Sequence, residues 1–164
     1  KAFYGNFGVM VKAFTYIRAL GGEGLRKVSE NAVLNANYLK EKLKGEYKLP
    51  YDMLCKHEFV LSDEGLPNQV TTSDIAKRLL YCGMHPMTIY FPLIVHGAMM
   101  IEPTETESKE TLDNFILIMK KIKEEIENSP EKVLNAPFDT VVKRLDAVKA
   151  ARELDLRFLP DKSK

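Results

Sequence analysis

Apolar residues recur along this chain with two different periods, and the switches between them predict its elements. Residues 9–20 are apolar nearly throughout, interrupted by Lys12 and Arg18, and read as a helix that needs cover on all sides. Gly21-Gly22 ends it, because glycine supplies the left-handed residue favoured at a helix C-terminus. A second helix is expected over residues 25–43, where Leu25, Val28, Ala32, Ala36, Leu39 and Leu43 keep helical spacing with Lys or Glu on the far side; Gly45 closes it. The run His57-Glu58-Phe59-Val60-Leu61 is dense in β-formers and reads as a strand, followed by a polar loop over 62–69. Thr72, Ser73 and Asp74 then offer N-caps for a helix over 75–81 that stops at Gly83.

Residues 88–90 and 95–101 read as two short strands parted by Phe91-Pro92, since proline removes a ladder donor. Glu102-Pro103 ends the second strand, and Thr104-Glu105-Thr106-Glu107 has the spacing of a capping box. The helix it opens carries Leu112, Phe115, Met119, Ile122 and Ile126 on one stripe, opposite Glu110, Asp113, Lys121 and Glu124, and Asn128-Ser129-Pro130 stops it. Residues 128–164 form a tail with Pro137 and Pro160 and an amphipathic piece over 141–151. Few strands and long helices, with too few residues between strands for several parallel crossovers, predict an α+β fold. Its sheet is small and mainly antiparallel, with helices on one face.

Composition narrows the function classes. The 24 basic and 23 acidic residues nearly cancel, so no nucleic-acid footprint is expected, and no apolar run is long enough to span a membrane. Two cysteines, Cys55 and Cys82, are too few for a disulfide framework and suit a reducing cytoplasm. Cys55-x-His57 and Cys82-x-x-His85 supply four possible zinc ligands, but finger and ribbon spacings are not met and no metal site is expected. The chain opens without Met and leads directly into its apolar helix, as if continuing from something larger. Residues 9–20 are therefore expected to pack against protein outside these 164 residues, or against a second copy.

The stretch from His85 to Glu107 concentrates polar groups around buried-looking strands. Of its carboxylates, Glu107 is accounted for by capping and Glu105 by the preference of a helix N-terminus for negative charge. Glu102, at a strand end, is left as the one to test in an acid or base role.

Five ordered motifs carry a resemblance: Gly5-Asn6-Phe7-Gly8, the run from Asn31 to Leu39, His57-Glu58-Phe59-Val60-Leu61, Asp74-Ile75-Ala76-Lys77-Arg78-Leu79 and Ile101-Glu102-Pro103-Thr104-Glu105. With Arg144-Leu145-Asp146 and Ala150-Ala151-Arg152 in the tail, the chain resembles the C-terminal part of glycine dehydrogenase (decarboxylating). That family is the P protein of the glycine cleavage system, and the likeness is to subunit 2 of its two-subunit bacterial form. The resemblance implies the small C-terminal domain of a type I pyridoxal-phosphate enzyme over residues 1–127, with 1–20 as a connecting helix from the large domain. It implies an extension over 128–164 that packs on the domain or on a partner subunit.

The implied activity binds glycine to pyridoxal phosphate, releases its carboxylate as carbon dioxide and passes the aminomethyl group to the lipoyl arm of the H protein. Subunit 1 is the implied partner. The family's cofactor lysine sits in a His-Lys-Thr segment that this sequence lacks, so these residues alone are expected to bind no cofactor and to be inactive. The resemblance places Asn6, His57, Thr88 and Tyr90 as cleft-facing candidates. Two other classes stay open: an interaction domain that self-associates through its first helix, or the small domain of another type I enzyme such as an aminotransferase. The latter would clamp a substrate carboxylate with an arginine, for which Arg78 and Arg144 are available, Arg78 reading more simply as solvent-facing beside Lys77.

Overall fold

Asn6 sets the first helix going: its side chain accepts a hydrogen bond from the Val9 amide at 3.3 Å, satisfying one of the amides a helix start leaves free. The computed structural model describes residues 4–157, so the segment before Tyr4 and the charged end with Pro160 lie outside the described residues. Helix α1 runs Phe7–Leu43, kinked at Gly21 (φ 62°, ψ −176°). The expected break is thus a kink, and the second half resumes directly after it, earlier than residue 25. The remaining elements are β1 (Phe59–Ser62), α2 (Thr72–Tyr81), β2 (Thr88–Ile89), β3 (Ala98–Ile101), α3 (Lys109–Asn128), α4 (Glu131–Leu134) and α5 (Ala147–Arg152).

The three strands form one antiparallel sheet in the order β1-β3-β2, as the pattern predicted. Phe59 pairs with Ile101 and Leu61 with Met99, and Ile89 also meets Met99, so these side chains share one face. That face is buried together with Leu39 and Leu43 of α1, Ile75 and Leu79 of α2, and the whole predicted α3 stripe, Leu112, Phe115, Met119, Ile122 and Ile126. On the other face Val60, Met100 and Thr88 form a row that is half-buried or exposed. The helices thus cover one face; on the other, Ser62 and Ala98 are buried and only the Val60, Met100 and Thr88 end is partly open.

Several boundaries differ from the expectation, for local reasons. His57 and Glu58 precede β1 instead of belonging to it: continuing the register would place His57 opposite Pro103, which has no amide to donate. Residues 95–97 form a turn, and only 98–101 pair. Thr71, not Thr72 to Asp74, is the N-cap of α2, and Asp74 reaches back to the Thr71 amide at 2.8 Å. The capping box at Thr104–Glu107 does not form. Those residues make a turn closed by Glu107 N–H to Thr104 C=O, with the Asn35 side chain donating to Thr104 C=O at 2.9 Å, and Ser108 caps α3 instead. Glu105 is accordingly not at a helix start; the Tyr16 hydroxyl donates to it at 3.3 Å.

Arg78 overturns its expected placement. It is buried and donates two bonds of 2.8 Å to Glu125 of α3, lying over the rings of Tyr81 and Phe138. The helix face it shares with Ile75 and Leu79 turns inward, so a lone cation there needs a buried partner. Arg144 likewise serves the fold, pairing with Asp74 and donating to the carbonyls of Ala136 and Val133 at 3.1 Å. Val133 and Ala136 are fully buried, so the core continues past residue 127. The amphipathic piece expected over 141–151 is helical only at 147–152, with no buried residue.

A second polar knot fixes the end of β3. The Asp63 carboxylate accepts from the Thr72 amide at 2.8 Å, the Thr72 hydroxyl donates to Gly97 C=O at 2.6 Å, and the Ser62 hydroxyl donates to His96 C=O at 2.6 Å. A Cβ on Gly97 would lie 1.6 Å from Asp63 Oδ1, and φ there is +53°. We expect Gly97→Ala to lower stability by about 2–4 kcal/mol in urea unfolding, with partial recovery when Asp63→Gly removes the clash.

The Arg78 guanidinium holds the Glu125 carboxyl below the usual carboxylate range. A depressed carboxylate contributes stability that is present above its unfolded value, about 4.3, and is lost as pH falls through the lower folded value. Arg78→Met alone should cost about 3–5 kcal/mol by leaving Glu125 buried and unpaired. Arg78→Met with Glu125→Leu should recover much of that and flatten the decline of stability below pH ~4.3. Urea titrations across pH check both.

Candidate functional site

Antiparallel register brings the two ends of the β1/β3 pair together, and that is where His57 finds its neighbours. Phe59 faces Ile101, so Glu58 and Glu102 flank the last rung and His57 lies beside them. His57 Nε2 is 3.7 Å from Glu102 Oε1 and 3.9 Å from Glu58 Oε2. These are ion-pair distances, too long for direct hydrogen bonds. All three side chains are roughly half exposed.

Thr88 sits on the sheet face away from the helices, in one row with Met100 and Val60, two residues along β3 from Glu102. Tyr90 ends β2: its amide donates to Ala98 C=O at 2.8 Å, and its φ of +58° is the left-handed region, uncommon for an aromatic residue. Half-exposed Tyr90 and Phe91 then lead into Leu93 and Ile94, which are almost wholly exposed. The structure therefore brings His57 and Glu102 together at one end of the sheet, while Thr88 and Tyr90 lie at and just beyond β2 with no contact to that pair among the described residues. Asn6 is accounted for by its cap on α1.

Behind Glu102 lies an apolar cleft of about 190 Å³, lined by Leu39, Met84, Met87, Ile101, Leu112 and Phe115, with His85, Glu102, Glu107 and Thr111 as its polar members. Glu102 thus borders both the cleft and His57. Sequence reasoning missed Glu58 as the second carboxylate and His85 as a cleft residue. Glu58 was recoverable, because fixing Phe59 opposite Ile101 also fixes Glu58 opposite Glu102.

The residues present do not fit pyridoxal phosphate. Lys40, the buried lysine, donates to Met53 C=O at 2.6 Å and lies 3.2 Å from Glu41, so its amine is committed. Asp63 and Asp74 occupy the start of α2, and the side chains of Asn6 and Ser108 cap those of α1 and α3. Among the described residues no cluster of His, Cys, Asp or Glu is placed to hold a metal ion.

Comparison with known proteins gives this geometry its context. The family described as "Glycine dehydrogenase, C-terminal domain" matches residues 28–144, more than half of the chain. A "Probable glycine dehydrogenase (decarboxylating) subunit 2" of Staphylococcus haemolyticus is 60% identical over 159 residues, 96% of this chain and 32% of that protein. A protein of the same description from Exiguobacterium sibiricum is 60% identical over 161 residues, 98% of this chain and 33% of its own. The chain spans about a third of the length of these relatives. Among solved structures, the glycine decarboxylase (P-protein) of the glycine cleavage system, in inhibitor-bound form, matches with a TM-score of 0.57 and 25% identity. That match covers 65% of this chain and 24% of that one. With a family match over more than half its residues, the chain belongs to the glycine dehydrogenase C-terminal domain family.

Proposed function

We propose that this chain acts as the C-terminal part of a glycine-decarboxylating subunit, the P protein of the glycine cleavage system. The observation that carries the reading is 60% identity to a glycine dehydrogenase (decarboxylating) subunit 2 over nearly the whole chain. In the complete enzyme pyridoxal phosphate supplies the electron sink for decarboxylation, and its lysine and phosphate site lie outside these residues. Subunit 1 is the partner, the lipoyl arm of the H protein receives the aminomethyl group, and the compartment is the cytoplasm.

This chain's own contribution is the partly open end of the sheet near Glu102 and Thr88, as one wall of the cleft that holds glycine and admits the lipoyl arm. His57 holds a proton at Nε2 or passes it on, with Glu58 and Glu102 at 3.9 and 3.7 Å from that nitrogen. The hydroxyls of Thr88 and Tyr90 orient the substrate or the arm. Burial of this wall against the rest of the enzyme excludes water from the reacting atoms.

Glycine-dependent exchange of bicarbonate in the complete two-subunit enzyme, with and without H protein, tests the wall. His57→Asn should lower kcat at least ~10-fold with folding unchanged, and Glu102→Gln less. Thr88→Val and Tyr90→Phe should act mainly on KM for glycine or for H protein. If all four variants stay within about twofold of the parent, the wall lies elsewhere. The 164-residue chain mixed with pyridoxal phosphate should show no absorption band of lysine-bound cofactor and no exchange. Such a band would refute the placement of the cofactor site outside it.

A further inference from the structure

Residues 49–58 lead into β1 with no helix or strand of their own, and His57 stands near their far end. Packing holds them weakly, since Tyr51, Met53 and Leu54 are exposed and Cys55 is only partly buried against the core. Side chains of α1 hold the backbone instead. Asn37 makes a closed pair with Cys55, accepting from its amide at 3.1 Å and donating to its carbonyl at 2.7 Å, much as a neighbouring strand would. Three residues along the same helix face, Lys40 donates to Met53 C=O at 2.6 Å. Lys44, one turn farther on, pairs with Asp52, but both are half exposed and the pair holds little.

Lys40 is the member that packing alone does not account for. Its side chain is 2% exposed, on a helix face that also buries Ala36, Leu39 and Leu43, with half-exposed Glu41 at 3.2 Å balancing its charge. An ammonium is costly to bury, and an apolar side chain of the same length would serve the core at least as well. What the amine adds is a directional bond, which favours one path of the loop over others. That path leads to His57. Among the described residues no hydrogen bond fixes the imidazole, whose Nε2 lies 3.7 Å from Glu102 and 3.9 Å from Glu58. Its place beside those carboxylates is therefore set by the backbone on either side: strand pairing from Phe59 onward, and the Asn37 and Lys40 bonds up to Cys55.

We propose, on the reading of His57 as a wall residue of the glycine cleft, that Lys40 and Asn37 are positioning residues, which act through His57 by pinning the loop that carries it and touch no reacting group themselves.

Lys40→Met in the complete two-subunit enzyme tests this, because it keeps the side chain's length and removes the amine. Met53 is exposed, so water can take over its carbonyl, and the urea midpoint of the full-length subunit should not fall. For glycine-dependent bicarbonate exchange, kcat should fall ~5–10-fold with KM for glycine within about twofold of the parent. In a His57→Asn background the same change should cost less than about twofold more, because no imidazole remains to be positioned. Hydrogen exchange in the peptide over residues 53–58 should be at least ~5-fold faster while other peptides keep their protection. Asn37→Ala, which frees Cys55, should show the same dependence on His57. An equal loss in both backgrounds, a lowered urea midpoint, unchanged exchange over 53–58, or unchanged kcat where His57→Asn is impaired would each overturn the positioning role and leave the His57 reading standing. If His57→Asn itself stays within about twofold of the parent, that reading fails and the positioning role falls with it.

Discussion

A three-stranded sheet whose longest strands have four residues cannot hold itself together in water, and the burial of its one apolar face is the constraint on which this fold rests. Phe59, Leu61, Met99 and Ile101 give that face, and the α3 stripe with Leu39, Leu43, Ile75 and Leu79 gives its cover. Each such side chain contributes on the order of 2 kcal/mol when fully buried. The hydrogen-bonded ladder adds direction more than stability. On the opposite face Ser62 and Ala98 are buried by the loop contacts around Gly97, and Val60, Met100 and Thr88 are left half-buried or exposed.

Charge is tied into the same core where helix faces meet. Arg78 and Glu125 join α2 to α3, and Arg144 with Asp74 joins the chain after α4 to the start of α2. Burial pushes the Asp74 carboxyl up, yet hydrogen bonds from Thr71 and Arg144 outweigh it and leave it below its ordinary value. Buried pairs of this kind contribute little net stability against an apolar alternative, but breaking one strands a charge. They therefore act as register pins: α2 can sit against α3 in one way without leaving Glu125 unpaired.

What the sequence made legible follows from how local each determinant is. The α3 stripe is a five-residue periodic signal, and all five residues are buried as read. The capping box does not form because a distant contact decides it: Thr104 to Glu107 has the spacing, but Asn35, far upstream, holds the Thr104 carbonyl, and Ser108 starts the helix. Arg78 was misread for the same reason, since its partner is 47 residues away. The meeting of His57 with Glu102 depends on strand register, which no single segment encodes. Register followed only once proline at 103 and the pairing of Phe59 with Ile101 were seen together.

The half-exposed state of His57 decides how the candidate site has to work. At 3.7 Å from Glu102 the attraction on a protonated imidazole is screened by water on its open side. Lowering the effective dielectric from ~80 to ~20 would strengthen that attraction about fourfold. The same holds for Thr88 and Tyr90, whose hydroxyls now have water as an alternative partner and would orient a ligand only when water is displaced. Val60, Met100 and Thr88, half-buried or exposed, thus leave this part of the sheet open to a second surface.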